Sequence, residues 1–105
     1  MSENVYKIKH KYKERIFVPY VAIENNIQFF EEYMRNKVCD VITSDGIECK
    51  AIEVKERCVI DIANTILQVY SMSAWEYLKL WHKTYPQMDS ITFLEIEIQV
   101  SQVED

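Results

Sequence analysis

The sequence predicts an α+β domain built on a mostly antiparallel, barrel-like β-sheet with two or three short helices. Three observations carry this expectation. Ile and Val together number 23, against four Leu, and β-branched side chains are stiff at χ1 and fit a pleated surface. Asp45-Gly46 stands between two β-rich runs, the strongest short hairpin signal a sequence offers. The spacers between β-rich runs are mostly too short for the long crossover that a parallel pair requires. With 105 residues the chain has room for one domain, spanning 1–105, with a frayed tail from Ser101 to Asp105.

Along the chain, Val5 to Tyr12 alternates, with Tyr6, Ile8, His10 and Tyr12 on one face and Lys7, Lys9 and Lys11 on the other. This is the period of a half-buried strand. Ile16 to Ile23 is a second β-rich run, and Pro19 within it marks an edge strand or a break. Asn25 or Asn26 caps a helix to about Arg35, whose inward stripe reads as Ile27, Phe30 and Met34. Val38 to Ser44 and Ile47 to Val54 form the hairpin. A two-residue type I′ turn there sets Ile42 opposite Cys49 and Cys39 opposite Ile52. Arg57 to Asp61 reads as a further strand. Ile62 to Tyr70 fits a short helix slightly better than a hairpin about Ala63-Asn64. Ser73 and Glu76 have the spacing of a capping box, opening a helix to about Tyr85 that Pro86 ends. Ile91 to Val100 alternates as the last strand, with Glu95, Glu97 and Gln99 on its polar face.

The single glycine, Gly46, removes several chemistries. A dinucleotide fingerprint needs three glycines, and a phosphate loop or a nucleophile elbow needs two. Cys39, Cys49 and Cys58 are an odd count with no C-x-x-C pair. In the two-residue hairpin register Cys39 and Cys49 point to opposite faces and cannot grip one ion, so no metal site and no cofactor is expected. A cysteine nucleophile needs a neighbouring histidine, and neither His10 nor His82 lies in a local signature. The N-terminus carries no secretory pattern and no apolar run reaches a membrane span. The reading is a cytoplasmic protein with reduced thiols and no membrane partner.

The formal net charge is −5, which argues against bulk attraction to nucleic acid. The charge is unevenly spread, however. Lys7, Lys9, Lys11, Lys13 and Arg15 fall within nine residues, opposed by Glu14 alone. In an extended strand these lysines form a strip spaced ~6.7 Å apart, close to the ~6–7 Å between successive phosphates of a nucleic-acid strand. Tyr12 and Tyr20 nearby offer rings on which bases stack. The bland reading is a solvated edge strand whose lysines deter pairing, or one neutralised by Glu95 and Glu97 on a neighbouring strand. The last helix carries apolar residues around most of its circumference. Trp75, Trp81 and Tyr85 are the residues expected at a partner surface if the helix is not fully enclosed.

From Asp45-Gly46 onward the chain resembles the second half of ASCH domains, whose fold is a PUA-like β-barrel. The matching residues are the Asp45-Gly46 hairpin, Cys49 with Ile52-Glu53-Val54, and Met72-Ser73 with Glu76 and Lys79. Tyr85-Pro86 and Phe93 with Ile96-Glu97 complete them, and Tyr12 to Ile16 resembles the segment leading into the family's G-x-K-T loop. The resemblance implies a barrel that binds RNA or a nucleotide. In acetylcytidine amidohydrolases of this kind the loop lysine and threonine serve catalysis. Here Val18-Pro19-Tyr20-Val21 stands in that place, and Ile62 to Met72 contains no carboxylate. No catalytic residue is therefore assigned. Two functions follow as expectations. One is a non-catalytic RNA- or nucleotide-binding domain. The other is a small acidic protein-interaction module or inhibitor, of the kind phages and mobile elements direct at a host protein.

Overall fold

The computed structural model describes residues 4–88 and 92–101. Met1 to Glu3, Ile91 and most of the expected frayed tail lie outside these. The architecture is α+β: a five-stranded, curled half-barrel sheet carries helices on both faces. Its strands are β1 (Val5–Lys7), β2 (Arg15–Val18), β3 (Cys39–Ile42), β4 (Glu48–Cys58) and β5 (Thr92–Val100), in the spatial order β1-β3-β4-β5-β2. The helices are α1 (Asn26–Asn36), α2 (Ala63–Tyr70) and α3 (Ala74–Thr84). Pairing is antiparallel except between β1 and β3, which run parallel. That one parallel pair has the long crossover it needs, the segment through β2 and α1.

Strand alternation divides the core. Ile16, Val18, Leu94, Ile96 and Ile98 face α1, and with Tyr6, Ile8, Phe29 and Val41 they form the main cluster. Their neighbours Phe17 and Phe93 face the other way and join Ile62, Ile66, Tyr77 and Leu78 beneath α2 and α3. A single chain thus seals both sides of the sheet at β2 and β5. Much of the rest of the second face is charged. Arg15 bridges Glu95 (3.4 Å) and Glu97 (3.8 Å), and Arg57 also reaches Glu95.

Several expectations are corrected. β1 ends at Lys7 and only a single bridge, Ile8 to Ile23, continues it. The Lys9 amide closes that bridge on the Ala22 carbonyl, and the chain leaves the strand at His10, whose amide turns back to the Ile8 carbonyl. Pro19 does break the second run, which turns into a short 3-10 helix, Tyr20–Ala22. In α1 the buried residues are Phe29 and Glu32, while Ile27 and Met34 are 74% and 63% exposed. Asn25 holds the cap position in the left-handed region, without a side-chain cap. Arg57 and Cys58 do not start a new strand but end β4, and Val59–Ile62 is 3-10.

The hairpin register also differs from the two-residue expectation. The Gly46 amide bonds the Thr43 carbonyl, and the Thr43 amide bonds the Ile47 carbonyl. Asp45 is not in the positive-φ region, and Gly46 alone of the turn is, at φ +83°. This is a type I turn closed by a glycine bulge, which shifts the register by one residue. Cys39 now opposes Ala51 and Val41 opposes Cys49. Both cysteines therefore point into the core on one face, the reverse of the expected arrangement. The helix at 63–70 and the Ser73 cap, whose hydroxyl accepts the Glu76 amide at 3.1 Å, are as expected.

Candidate functional site

Lys9 of the predicted basic segment and Trp81 and Tyr85 of the predicted aromatic surface meet at one groove. Lys9 and His10 form one wall. Tyr77, Leu80, Trp81, Thr84 and Tyr85 form the other, around a volume of about 320 Å³. On α3 the spacing 77, 80, 81 and 84 is a single helical stripe. Tyr85 follows where the helix stops before Pro86. Its ring stacks on Trp81 at 6.1 Å and an interplanar angle of 16°, and the Lys9 ammonium stands 5.5 Å over it.

The segment after β1 is held in place by the hairpin tip. The Ser44 amide donates to the His10 carbonyl, and the Tyr12 amide donates to Asp45 Oδ1. Asp45 also accepts from the Thr43 hydroxyl, and that bond first of all holds its carboxyl below the usual carboxylate range. The Asp-Gly signal therefore does two things, shaping the turn and anchoring the lysine-bearing loop.

Behind the groove, His10 Nδ1 lies 2.5 Å from the Lys11 carbonyl and Nε2 lies 2.7 Å from the Tyr70 hydroxyl. A carbonyl only accepts, so Nδ1 carries the proton and Nε2 accepts from Tyr70. The Tyr70 oxygen in turn accepts the Phe17 amide. Tyr70 stacks on Tyr77 at 4.1 Å, and the Tyr77 hydroxyl donates to the Phe17 carbonyl at 2.6 Å. Burial lowers the His10 pKa and raises that of Tyr77, so both are neutral structural members. Among the described residues this His–Tyr–Tyr network ties the loop, α2, α3 and β2 together.

The other predicted residues are distributed as follows. Lys7, Lys9, Lys11 and Lys13 are exposed. None has a carboxylate partner among the described residues. They do not form the evenly spaced strip, because the strand breaks after Ile8. Lys13 stands 5.9 Å over Tyr70 and borders a second, open hollow beside Arg15 and Glu97. Arg15 is committed to Glu95 and Glu97. Tyr12 is partly buried against the main core. Tyr20 lies against Phe30, and its hydroxyl donates to Glu56. Trp75 is exposed and lies away from the groove. Sequence reading missed Tyr77, Leu80 and Thr84, which the helical stripe could have supplied, and Tyr70, which no local signal marks.

Cys39 and Cys49 are buried and poorly placed for bond-making chemistry. Burial pushes the Cys39 thiol up to about 12 and the Cys49 thiol up to about 11, far from the thiolate a nucleophile needs. All three thiols are free. Among the described residues no cluster of His, Cys, Asp or Glu could hold a metal ion, and no helix is long and apolar enough to cross a membrane. Family models, curated proteins and solved structures give no match to the chain.

Proposed function

We propose that this chain is a non-catalytic ASCH- or PUA-like domain that binds single-stranded RNA or a nucleotide at the Lys9–Trp81–Tyr85 groove. The observation that carries the reading is the Lys9 ammonium, which has no carboxylate partner among the described residues, poised over Tyr85 beside the Trp81 ring. A base has an apolar face and a phosphate has charge, and the groove offers a surface of each kind side by side. Lys7, Lys11 and Lys13 lie on the same chain segment and extend the positive charge. Tyr12, Tyr20 and Arg15 are already engaged within the fold, so phosphate contact falls to the lysines and stacking to Trp81 and Tyr85.

The test is titration of a fluorescent oligouridine at low salt. Lys9→Glu with Lys11→Glu is expected to weaken binding at least about tenfold, and Trp81→Ala to remove stacking worth about 1–3 kcal/mol. No detectable binding by the wild-type chain at low salt removes the reading.

A protein-interaction module is the second reading. Trp75 and Leu80, both on α3, are 54% and 49% exposed, and the chain is acidic overall. A stoichiometric partner that survives nuclease and is lost in Trp75→Ala would favour it over RNA.

A further inference from the structure

Among the described residues, one stretch of strand edge on β4 has no strand paired to it. β4 is 11 residues long, yet β3 pairs only with Glu48 to Ala51. From Glu53 to Cys58 β4 is bonded on one side, to β5. The outer edges of β1 and β2 are each engaged in part. Beside β1, the Lys9 amide bonds Ala22 and the Glu24 amide bonds Lys7. On β2, the Phe17 amide and carbonyl are taken by the Tyr70 and Tyr77 hydroxyls. Among the described residues no such bond reaches the outer side of Glu53 to Cys58, and an open edge is a template for another strand.

Its backbone phase follows from the neighbouring ladder. The Ile98 amide turns toward Glu14, away from β4. By antiparallel alternation Ile96 and Leu94 do the same, so their partners Val54 and Glu56 turn amide and carbonyl to the open side. Glu53, Lys55 and Arg57 share one face of this edge. Their side chains are between 40% and 52% exposed.

We infer that β4 of two copies pairs antiparallel about a two-fold axis at Lys55. In this register Val54 faces Glu56 of the second copy, and each such pair exchanges two N–H···O bonds. Glu53 faces Arg57 of the second copy, twice by symmetry. The two adjacent symmetric registers fail. An axis at Val54 drives Arg57 against Ala51 of the second copy, which Cys39 already occupies. An axis at Glu56 sets Glu56 against itself and Lys55 against Arg57. Lys55 meets its own copy on the axis, and within each chain Glu53 already lies 3.7 Å from Lys55 and Arg57 lies 3.8 Å from Glu95; both features keep the pairing weak and reversible.

Sedimentation equilibrium over roughly 1 µM to 1 mM tests this. The wild-type chain is expected to self-associate as a dimer. Arg57→Glu should weaken it about tenfold, the Glu53→Arg/Arg57→Glu exchange should restore it, and Lys55→Thr should strengthen it. Val54→Pro removes an outward amide without touching the β5 ladder, and should leave a monomer with an unchanged circular dichroism spectrum. The inference is overturned if the wild-type chain is monomeric throughout, or if it associates with no response to the charge exchange. Association that persists in a folded Val54→Pro variant overturns it as well.

Discussion

His10 is held neutral by its surroundings, and this gives the fold a pH dependence of definite sign. Burial is the main cause of its lowered pKa. Lys13 adds to the shift, and the Lys11 carbonyl partly opposes it. The unfolded side chain titrates near 6.5, so between that value and the lower folded value the unfolded chain binds more protons. The stability held in the Tyr70–His10 bond is therefore complete above about 6.5 and is lost as pH falls below it. Urea midpoints at about pH 7.5 and 5.5 should show this loss in the wild-type chain and a smaller one in His10→Gln, whose amide can keep a bond to Tyr70 without titrating. Sequence reading could weigh His10 only as a ligand or a nucleophile's partner. Its true partner is 60 residues away, on a helix that no local pattern ties to β1.

At the scale of elements, periodicity located α1, but of its expected stripe Phe30 alone packs against the core while Ile27 and Met34 are exposed. Ile27, Phe30 and Met34 have helical spacing, and so do Phe29 and Glu32. The second pair is buried because Phe29 meets Tyr6 edge-on at 5.5 Å and accepts the Cys39 thiol at its carbonyl, while Glu32 accepts the Tyr6 hydroxyl at 2.9 Å. Ile27→Lys and Met34→Lys are accordingly expected to change stability by less than about 0.5 kcal/mol. Phe29→Ala should cost about 3–5 kcal/mol in chemical denaturation. The hairpin shows the same division. Asp45-Gly46 marked its place, but the turn type set the register, and the register decided which way Cys39 and Cys49 point. Gly46→Ala tests the turn. A Cβ at that position would touch nothing, so the cost of about 1 kcal/mol in a thermal melt comes from φ +83° alone.

At the scale of the molecule, net charge and local charge pull in opposite directions. The chain carries −5, yet Lys7, Lys9, Lys11 and Lys13 have no carboxylate partners among the described residues. If these four hold the phosphates, the logarithm of the oligouridine affinity should fall against log salt with a slope of about −3, and each lysine lost should flatten it by about 0.7. The α+β class, the hairpin, the capped last helix and the final strand were legible because each is written in short-range terms: β-branched runs, Asp-Gly, Ser73 with Glu76, and strict alternation. The lysine run and the aromatic helix were legible as residues but not as a site. What joined Lys9 to Trp81 and Tyr85 was the turn of the chain after Ile8, where the His10 amide bonds back to Ile8 and Asp45 and Ser44 of the hairpin tip hold the following loop. The bonds to the hairpin tip are long-range, formed only once the sheet curls, and so they belong to the tertiary structure rather than to any window of the sequence.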